Sequence, residues 1–165
     1  MITFFTNILI MKIKKKTIIK ILHNQPETKF HINIWKKKFG VKTKVTDKKN
    51  SLYYFQKSKI AIVDFIYCTA VYELAFLNIP FIIIDNEHYE FKKKFQKIFK
   101  KLEKLKIIFN DPKKAAIFLN KNYNNVDAWW KKIIKTKEYK NFKKTLFNEN
   151  KDDLGQLFFE RLQKI

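Results

Sequence analysis

A turn that follows a short apolar run carries residue types that suit the binding of an anion. The turn, residues 64–69 (DFIYCT), leads into a predicted helix over 69–77. Free N–H groups in the first turn of a helix, together with the helix dipole, favour a bound phosphate. The Thr69 hydroxyl would add one more donor. The candidate phosphate-binding residues are Asp64, Tyr67, Cys68 and Thr69.

Glu73 lies one turn into the same predicted helix, where it could accept hydrogen bonds from sugar or ribose hydroxyls. The alternative is purely structural: Thr69 then only caps the helix, and Glu73 is a favourable acid near its N-terminus. The chain has no glycine-rich loop that would strengthen the phosphate interpretation. Spacing alone leaves both interpretations open.

A second polar cluster follows the apolar run 81–84 and consists of Asp85, Asn86, Glu87, His88 and Tyr89. In open α/β sheets, ligands bind beyond the carboxyl ends of the strands, so this cluster and the turn 64–69 are expected at the same edge. Asp85 or Glu87 could act as a base and His88 as a proton donor. The alternative is that these are ordinary surface residues of a loop.

The sequence predicts no metal site and no cofactor. His23 and His31 lack partners at metal-ligand spacing. Cys68 is the only cysteine, which argues against a disulfide framework or a cysteine-based zinc site and fits a reducing cytoplasm. A helix N-terminus would stabilise its thiolate, but no base can be assigned to it, so buried packing is the favoured interpretation.

The elements that would position these residues alternate between short β-like runs and longer helical runs, a pattern typical of a parallel sheet covered by helices. Predicted strands are 17–22, 41–45, 60–63, 81–84 and 107–109, with 60–63 a candidate central strand. Predicted helices are 51–57, 69–77, 91–105 and one opened by Asp111-Pro112, with a helix or irregular segment at 30–39 and a helical tail from Val126. We predict a Rossmann-like three-layer α/β domain with a mostly parallel sheet.

The length of 165 residues suits one domain, and two Rossmann-like lobes would not fit. We divide the chain into an N-terminal extension or stump (1–16), the α/β domain (17–125) and a helical tail packed on it (126–165). Residues 1–11 are apolar but precede the lysine run, the wrong order for a secretory signal, and fall short of the roughly 20 residues that span a bilayer. We expect a cytoplasmic protein, with peripheral contact with the inner face of the membrane as an option.

The net charge of +21 would attract phosphate groups. Arg161 is the single arginine, however, and the direct reading of bases favours arginine. Abundant Lys, Ile, Asn, Phe and Tyr with scarce Gly and Pro are typical of an AT-rich genome, so we interpret most of the charge as solvated lysine. Nucleic acid is the less favoured partner. The alternative function is a binding module whose lysine-rich helix 91–106 contacts an acidic partner, a membrane surface or nucleic acid.

The order and spacing of several motifs resemble the C-terminal region of a bacterial family of surface-polysaccharide transferases. The motifs are Thr69-x3-Glu73-x4-Asn78-x-Pro80, then Asn86 and Tyr89, Ile107-Ile108-Phe109-x-Asp111-Pro112-x2-Ala115-Ala116, and Asp127-x-Trp129-Trp130. Upstream, 19–22 and Trp35 also look like that family's preceding strand and Trp-containing segment. The similarity covers about residues 17–145. Taken alone, the Trp pair predicts an anchor for the C-terminal helices, with sugar stacking as the lesser option.

The resemblance implies a GT-B glycosyltransferase-like architecture. In such enzymes the matching lobe grips the nucleotide part of an activated sugar, so Thr69 would meet the diphosphate and Glu73 the ribose or sugar hydroxyls. The implied partner is a nucleotide-activated sugar. Because GT-B enzymes close their cleft between two lobes, the resemblance also implies a chain that is catalytically incomplete alone, either the product of a split gene or one that works with a separately encoded N-terminal lobe.

Overall fold

The computed structural model describes residues 8–9, 11–20, 28–39, 44–46, 51–64, 66, 68–85 and 93–147. The strands in this part are β1 (Ile18–Lys20), β2 (Lys44–Thr46), β3 (Ala61–Val63), β4 (Phe81–Ile84) and β5 (Ile108–Phe109). The helices are α1 (Met11–Lys14), α2 (Thr28–Phe39), α3 (Ser51–Gln56), α4 (Thr69–Phe76), α5 (Lys93–Lys104), α6 (Pro112–Asn122), α7 (Val126–Ile133) and α8 (Lys137–Phe147), with a 3-10 turn at Tyr123–Asn125.

The main sheet has the strand order β3-β4-β5, and both pairs are parallel. Every residue of the FIII run in β4 is buried, as expected for a parallel strand covered on both faces. β1 and β2 form a separate parallel pair. The prediction of a Rossmann-like α/β fold with a helical C-terminal stretch is confirmed.

β3 differs from its prediction as a central strand. Among the described residues it pairs with β4 alone, so it lies at the edge of this sheet. Ala61 and Val63 are buried whereas Ile62 is 38% exposed, the alternation of a strand that is covered on one face. A short apolar run does not by itself distinguish a central strand from an edge strand, which is why this prediction was wrong.

Each face of the sheet carries its own hydrophobic cluster, because successive residues of a strand point to opposite faces. The first cluster joins β4 to α4, α5, α7 and α8, through Phe81, Ile83, Leu74, Leu102, Trp130, Tyr139 and Phe142. The second joins the other face of β4 to α6 and to the N-terminal segment, through Ile82, Ile84, Ala115, Ala116, Leu119, Leu9 and Ile13. Helices therefore cover both sides of the sheet.

Two helices end in the same type of turn. Asn78 after α4 and Lys106 after α5 have positive φ angles of 53° and 62°. The N–H of Ile79 donates to the carbonyl of Leu74 at 3.0 Å, and the corresponding bond after α5 has the same length. These are the six-to-one bonds of Schellman motifs, and they lead the chain directly from each helix into the next strand.

Side-chain caps define the starts of two further helices. Asp111 Oδ1 accepts a hydrogen bond from the Lys113 N–H at 2.8 Å, with Pro112 in the first helical position. This cap was predicted from the Asp-Pro pair and is confirmed. At α8, Thr136 Oγ1 accepts from the Tyr139 N–H at 3.2 Å, so the helical tail contains a second helix with its own side-chain cap after α7.

Candidate functional site at the carboxyl edge of the sheet

The carboxyl ends of β3, β4 and β5 meet at one edge of the sheet, because the three strands are parallel. Asp64 follows β3, Asp85 follows β4 and Asn110 follows β5. The Asp85 N–H donates to the Phe109 carbonyl at 2.9 Å, which extends the pairing of β4 with β5 to this edge. A ligand bound here would meet polar groups from three strands.

Ile66 lies between β3 and α4, and its side chain is buried in the first cluster. α4 begins at Thr69, and Cys68 is its N-cap with an extended backbone (φ −101°, ψ 152°). Sequence preference favours Thr over Cys as a cap, yet Thr69 is the first helical residue and is exposed. The Cys68 side chain makes no capping hydrogen bond, so no cap oxygen offsets the positive end of the helix dipole.

The pKa of the Cys68 thiol depends on the groups around this turn. Burial raises the pKa of the Cys68 thiol, and the nearby Asp64 carboxylate adds to the rise, while the backbone amides of Val71 and Ala70 oppose it. The net direction is upward, which does not favour the thiolate. The Val71 N–H donates to the Cys68 carbonyl at 3.1 Å, which closes the first turn of α4.

Glu73 lies in the second turn of α4 and is half-buried. Its Oε2 atom is buried and has no hydrogen-bond partner, a state that among the described residues it shares with the Tyr139 hydroxyl. Burial raises the pKa of the Glu73 carboxyl above its ordinary value, and burial likewise raises the pKa of Tyr139. A buried carboxylate oxygen without a donor is unfavourable, so a hydroxyl or N–H donor brought to Oε2 would stabilise it.

Replacing Glu73 by glutamine is expected to raise the free energy of unfolding at pH 7. The folded chain then no longer buries an unpartnered carboxylate, while the shape of the side chain is kept. Because the folded-state pKa is raised, the wild-type carboxyl favours folding below its ordinary pKa of about 4.5. That contribution is lost as the pH rises through the folded-state pKa, so the gain from glutamine vanishes below pH 4.5. Urea unfolding of both proteins at pH 4 and pH 7 measures this, and equal stabilities at pH 7 would contradict it.

Five of the predicted site residues lie in the described part of the chain. Asp64, Cys68 and Thr69 lie in one turn, Glu73 one helical turn further, and Asp85 at the end of the neighbouring strand. The other predicted residues, Tyr67, Asn86, Glu87, His88 and Tyr89, lie outside the described residues.

Asn110 was not predicted from the sequence as a site residue. It follows β5 just as Asp64 follows β3, and the apolar run 107–109 was the available signal.

The described residues include neither a metal-ligating group nor a membrane-spanning helix. Across the described ranges, no group of three or more His, Cys, Asp or Glu side chains is arranged to hold a metal ion. None of the helices in those ranges has the length and apolar character needed to cross a membrane.

Parallel strands linked through helices, with polar groups and a helix N-terminus at the carboxyl edge, define a Rossmann-like α/β domain with a candidate ligand site. The sequence profile described as LIC12162 family transferase matches residues 2–159. The chain therefore belongs to this family of transferases, which confirms the transferase part of the resemblance. Comparisons with curated proteins and with solved structures find no match.

Proposed function

We propose that the chain binds a nucleotide-activated sugar at the carboxyl edge of the β3-β4-β5 sheet, as the donor-binding lobe of a GT-B-like glycosyltransferase in surface-polysaccharide synthesis. Membership of a transferase family supports a group-transfer reaction. The observation that carries the donor assignment is the unpartnered, buried Oε2 of Glu73, on the helix that follows β3 at this edge of the sheet.

The diphosphate of the donor is assigned to the N-terminus of α4. Backbone N–H groups and the helix dipole stabilise phosphate oxygens there, and the exposed Thr69 hydroxyl adds a donor. During sugar transfer, negative charge builds up on the departing nucleoside diphosphate. Free N–H groups in the first turn of α4 would stabilise that charge.

The hydroxyl groups of the ribose or sugar are assigned to Glu73. Thr69 and Glu73 are four residues apart on α4, so they lie on one face of the helix with Cβ atoms about 6 Å apart. A ligand that reaches from the diphosphate to an adjoining ring can contact both. A hydroxyl that donates to Oε2 would remove the unpartnered state of the carboxylate and lower its pKa.

Calorimetric titration of the full chain with nucleoside diphosphates and their sugar conjugates tests this assignment. Glu73→Ala removes a hydrogen bond to a charged group, which is worth about 1.5–3 kcal/mol, and should weaken binding roughly 10- to 150-fold. Thr69→Ala removes a neutral hydrogen bond and should weaken it about 2- to 10-fold. Because the measurement is of binding, it does not depend on turnover.

Glu103→Ala is the matched control. It makes the same change at an exposed position in the last turn of α5, at the opposite edge of the sheet, and should leave donor affinity unchanged. Nucleotide should also protect the single thiol, Cys68, from alkylation. The proposal is wrong if no nucleotide in the panel binds, or if Glu73→Ala binds donor as tightly as the wild-type chain.

A further inference from the structure

Exposed lysines form a continuous stripe along α5. Lys97, Lys100, Lys101 and Lys104 have the spacing i, i+3, i+4 and i+7, which places them on one face of the helix, and all four are exposed. The opposite face carries Leu102, which is fully buried in the first cluster. The only acidic residue in the sequence of α5 is Glu103, so the stripe itself consists of lysine alone.

α8 packs alongside α5 and carries lysines on its own outer face. Lys137 and Lys140 are exposed, whereas Tyr139 and Phe142 are buried in the first cluster. Both helices cover the same side of the sheet, so their exposed faces belong to one outer layer. We call the six exposed residues the basic surface: Lys97, Lys100, Lys101, Lys104, Lys137 and Lys140.

The dimensions of the basic surface allow its charges to act together. Seven residues of α5 span about 10 Å, and packed helices lie about 8–10 Å apart. The Debye length at physiological ionic strength is about 8 Å, so neighbouring charges are only partly screened from one another. Like charges at i, i+4 spacing destabilise a helix slightly, and a bound anionic surface would relieve this repulsion.

We propose that the basic surface docks the chain on an anionic phospholipid bilayer. Clustered lysines are attracted to anionic headgroups without needing defined geometry. Each lysine near the membrane surface raises the affinity about fivefold. Among the described side chains of α5 (96–104) and α8, none of the exposed ones is aromatic or large and apolar, so the contact is electrostatic and superficial, without insertion into the acyl region.

The same residues fit nucleic acid less well. Single-stranded nucleic acid is bound through aromatic stacking as well as charge, and the basic surface offers no ring. Sequence-specific reading of a duplex relies largely on arginine, and the single arginine of the chain is Arg161. A bilayer needs neither feature.

Co-sedimentation of the full chain with vesicles tests the proposal. Binding is expected to vesicles of phosphatidylcholine with 30% phosphatidylglycerol at about 0.1 M salt, and not to vesicles of phosphatidylcholine alone. The triple substitution Lys100→Gln, Lys101→Gln and Lys104→Gln should weaken binding on the order of 100-fold. The pair Lys137→Gln and Lys140→Gln should weaken it about 25-fold, which tests the surface through a different helix.

A control with the same change in net charge separates docking from general attraction. Lys113, Lys114 and Lys121 are exposed on α6, which covers the other face of the sheet, and their replacement by glutamine should change binding less than fivefold. Equal losses for the two triple variants would overturn the proposal. So would a lack of binding to the anionic vesicles, or binding to a DNA duplex that is tighter than binding to the vesicles and is lost in the α5 triple variant.

Discussion

Replacement of Trp130 by alanine is expected to lower the free energy of unfolding by about 3–5 kcal/mol, a large share of the 5–15 kcal/mol typical of a folded domain. The indole is only 4% exposed. Its ring lies 5.3 Å from that of Phe81 and 5.2 Å from that of Tyr139 in tilted, edge-on arrangements. The substitution would therefore open a cavity between β4 and the helical tail.

The variant Trp130→Phe distinguishes the effect of the indole hydrogen bond from the effect of ring packing. The indole Nε1–H donates to the Asn78 carbonyl at 2.6 Å, at the turn that ends α4. Phenylalanine keeps most of the packing but leaves this carbonyl without its donor, at a cost of about 1–3 kcal/mol. Urea unfolding followed by far-UV circular dichroism measures both variants. A loss below 1 kcal/mol for Trp130→Ala would mean that the indole does not anchor the tail.

The elements with strong local signals were predicted from the sequence. The FIII run defined β4, because a parallel strand that is covered on both faces needs apolar residues without interruption. The apolar repeat of 91, 95, 98, 99, 102 and 105 set against lysines predicted α5, and the Asp111-Pro112 pair predicted the start of α6. For α6 the deciding hydrogen bond lies within two residues of the signal.

The details of the candidate site depended on contacts that are distant in sequence. The helix was predicted to start with Thr69 near its N-cap, whereas Cys68 occupies the cap and Thr69 is the first helical residue. The unpartnered state of Glu73 arises from packing around α4 and cannot be read from its position in the helix. Residue types indicated this turn as a candidate site, and the orientation of its groups depends on the three-dimensional packing.

The basic surface also depends on contacts between residues that are distant in sequence. From the sequence, lysine appeared to be spread over solvated faces as a consequence of genomic composition. The stripes of α5 and α8 are separated by about 40 residues along the chain, and no local pattern indicates that the two helices pack side by side. The fold brings them together, so a compositional bias becomes a concentrated charge on one side of the molecule.

The N-terminal segment contributes buried residues to the core. Residues 1–16 were expected to be an extension or a stump, and their apolar composition gave no period from which buried positions could be chosen. Leu9 and Ile13 are 3% and 6% exposed and pack in the second cluster with Ile82 and Ile84 of β4. The Asn120 side chain of α6 donates to the Ile8 carbonyl at 2.7 Å, which ties this segment to the helix that it packs against.

Leu9→Ala is therefore expected to lower the free energy of unfolding by about 2–5 kcal/mol, the usual cost of a cavity left by a buried leucine. Met11→Ala is the matched control in the same segment, since Met11 is 63% exposed and its replacement should change stability by less than about 0.5 kcal/mol. Urea unfolding of the full chain gives both values. If Leu9→Ala were as mild as Met11→Ala, the segment would not contribute to the core. A large difference would mean that one face of β4 depends on residues before the first strand, and that any variant made to test donor binding should retain them.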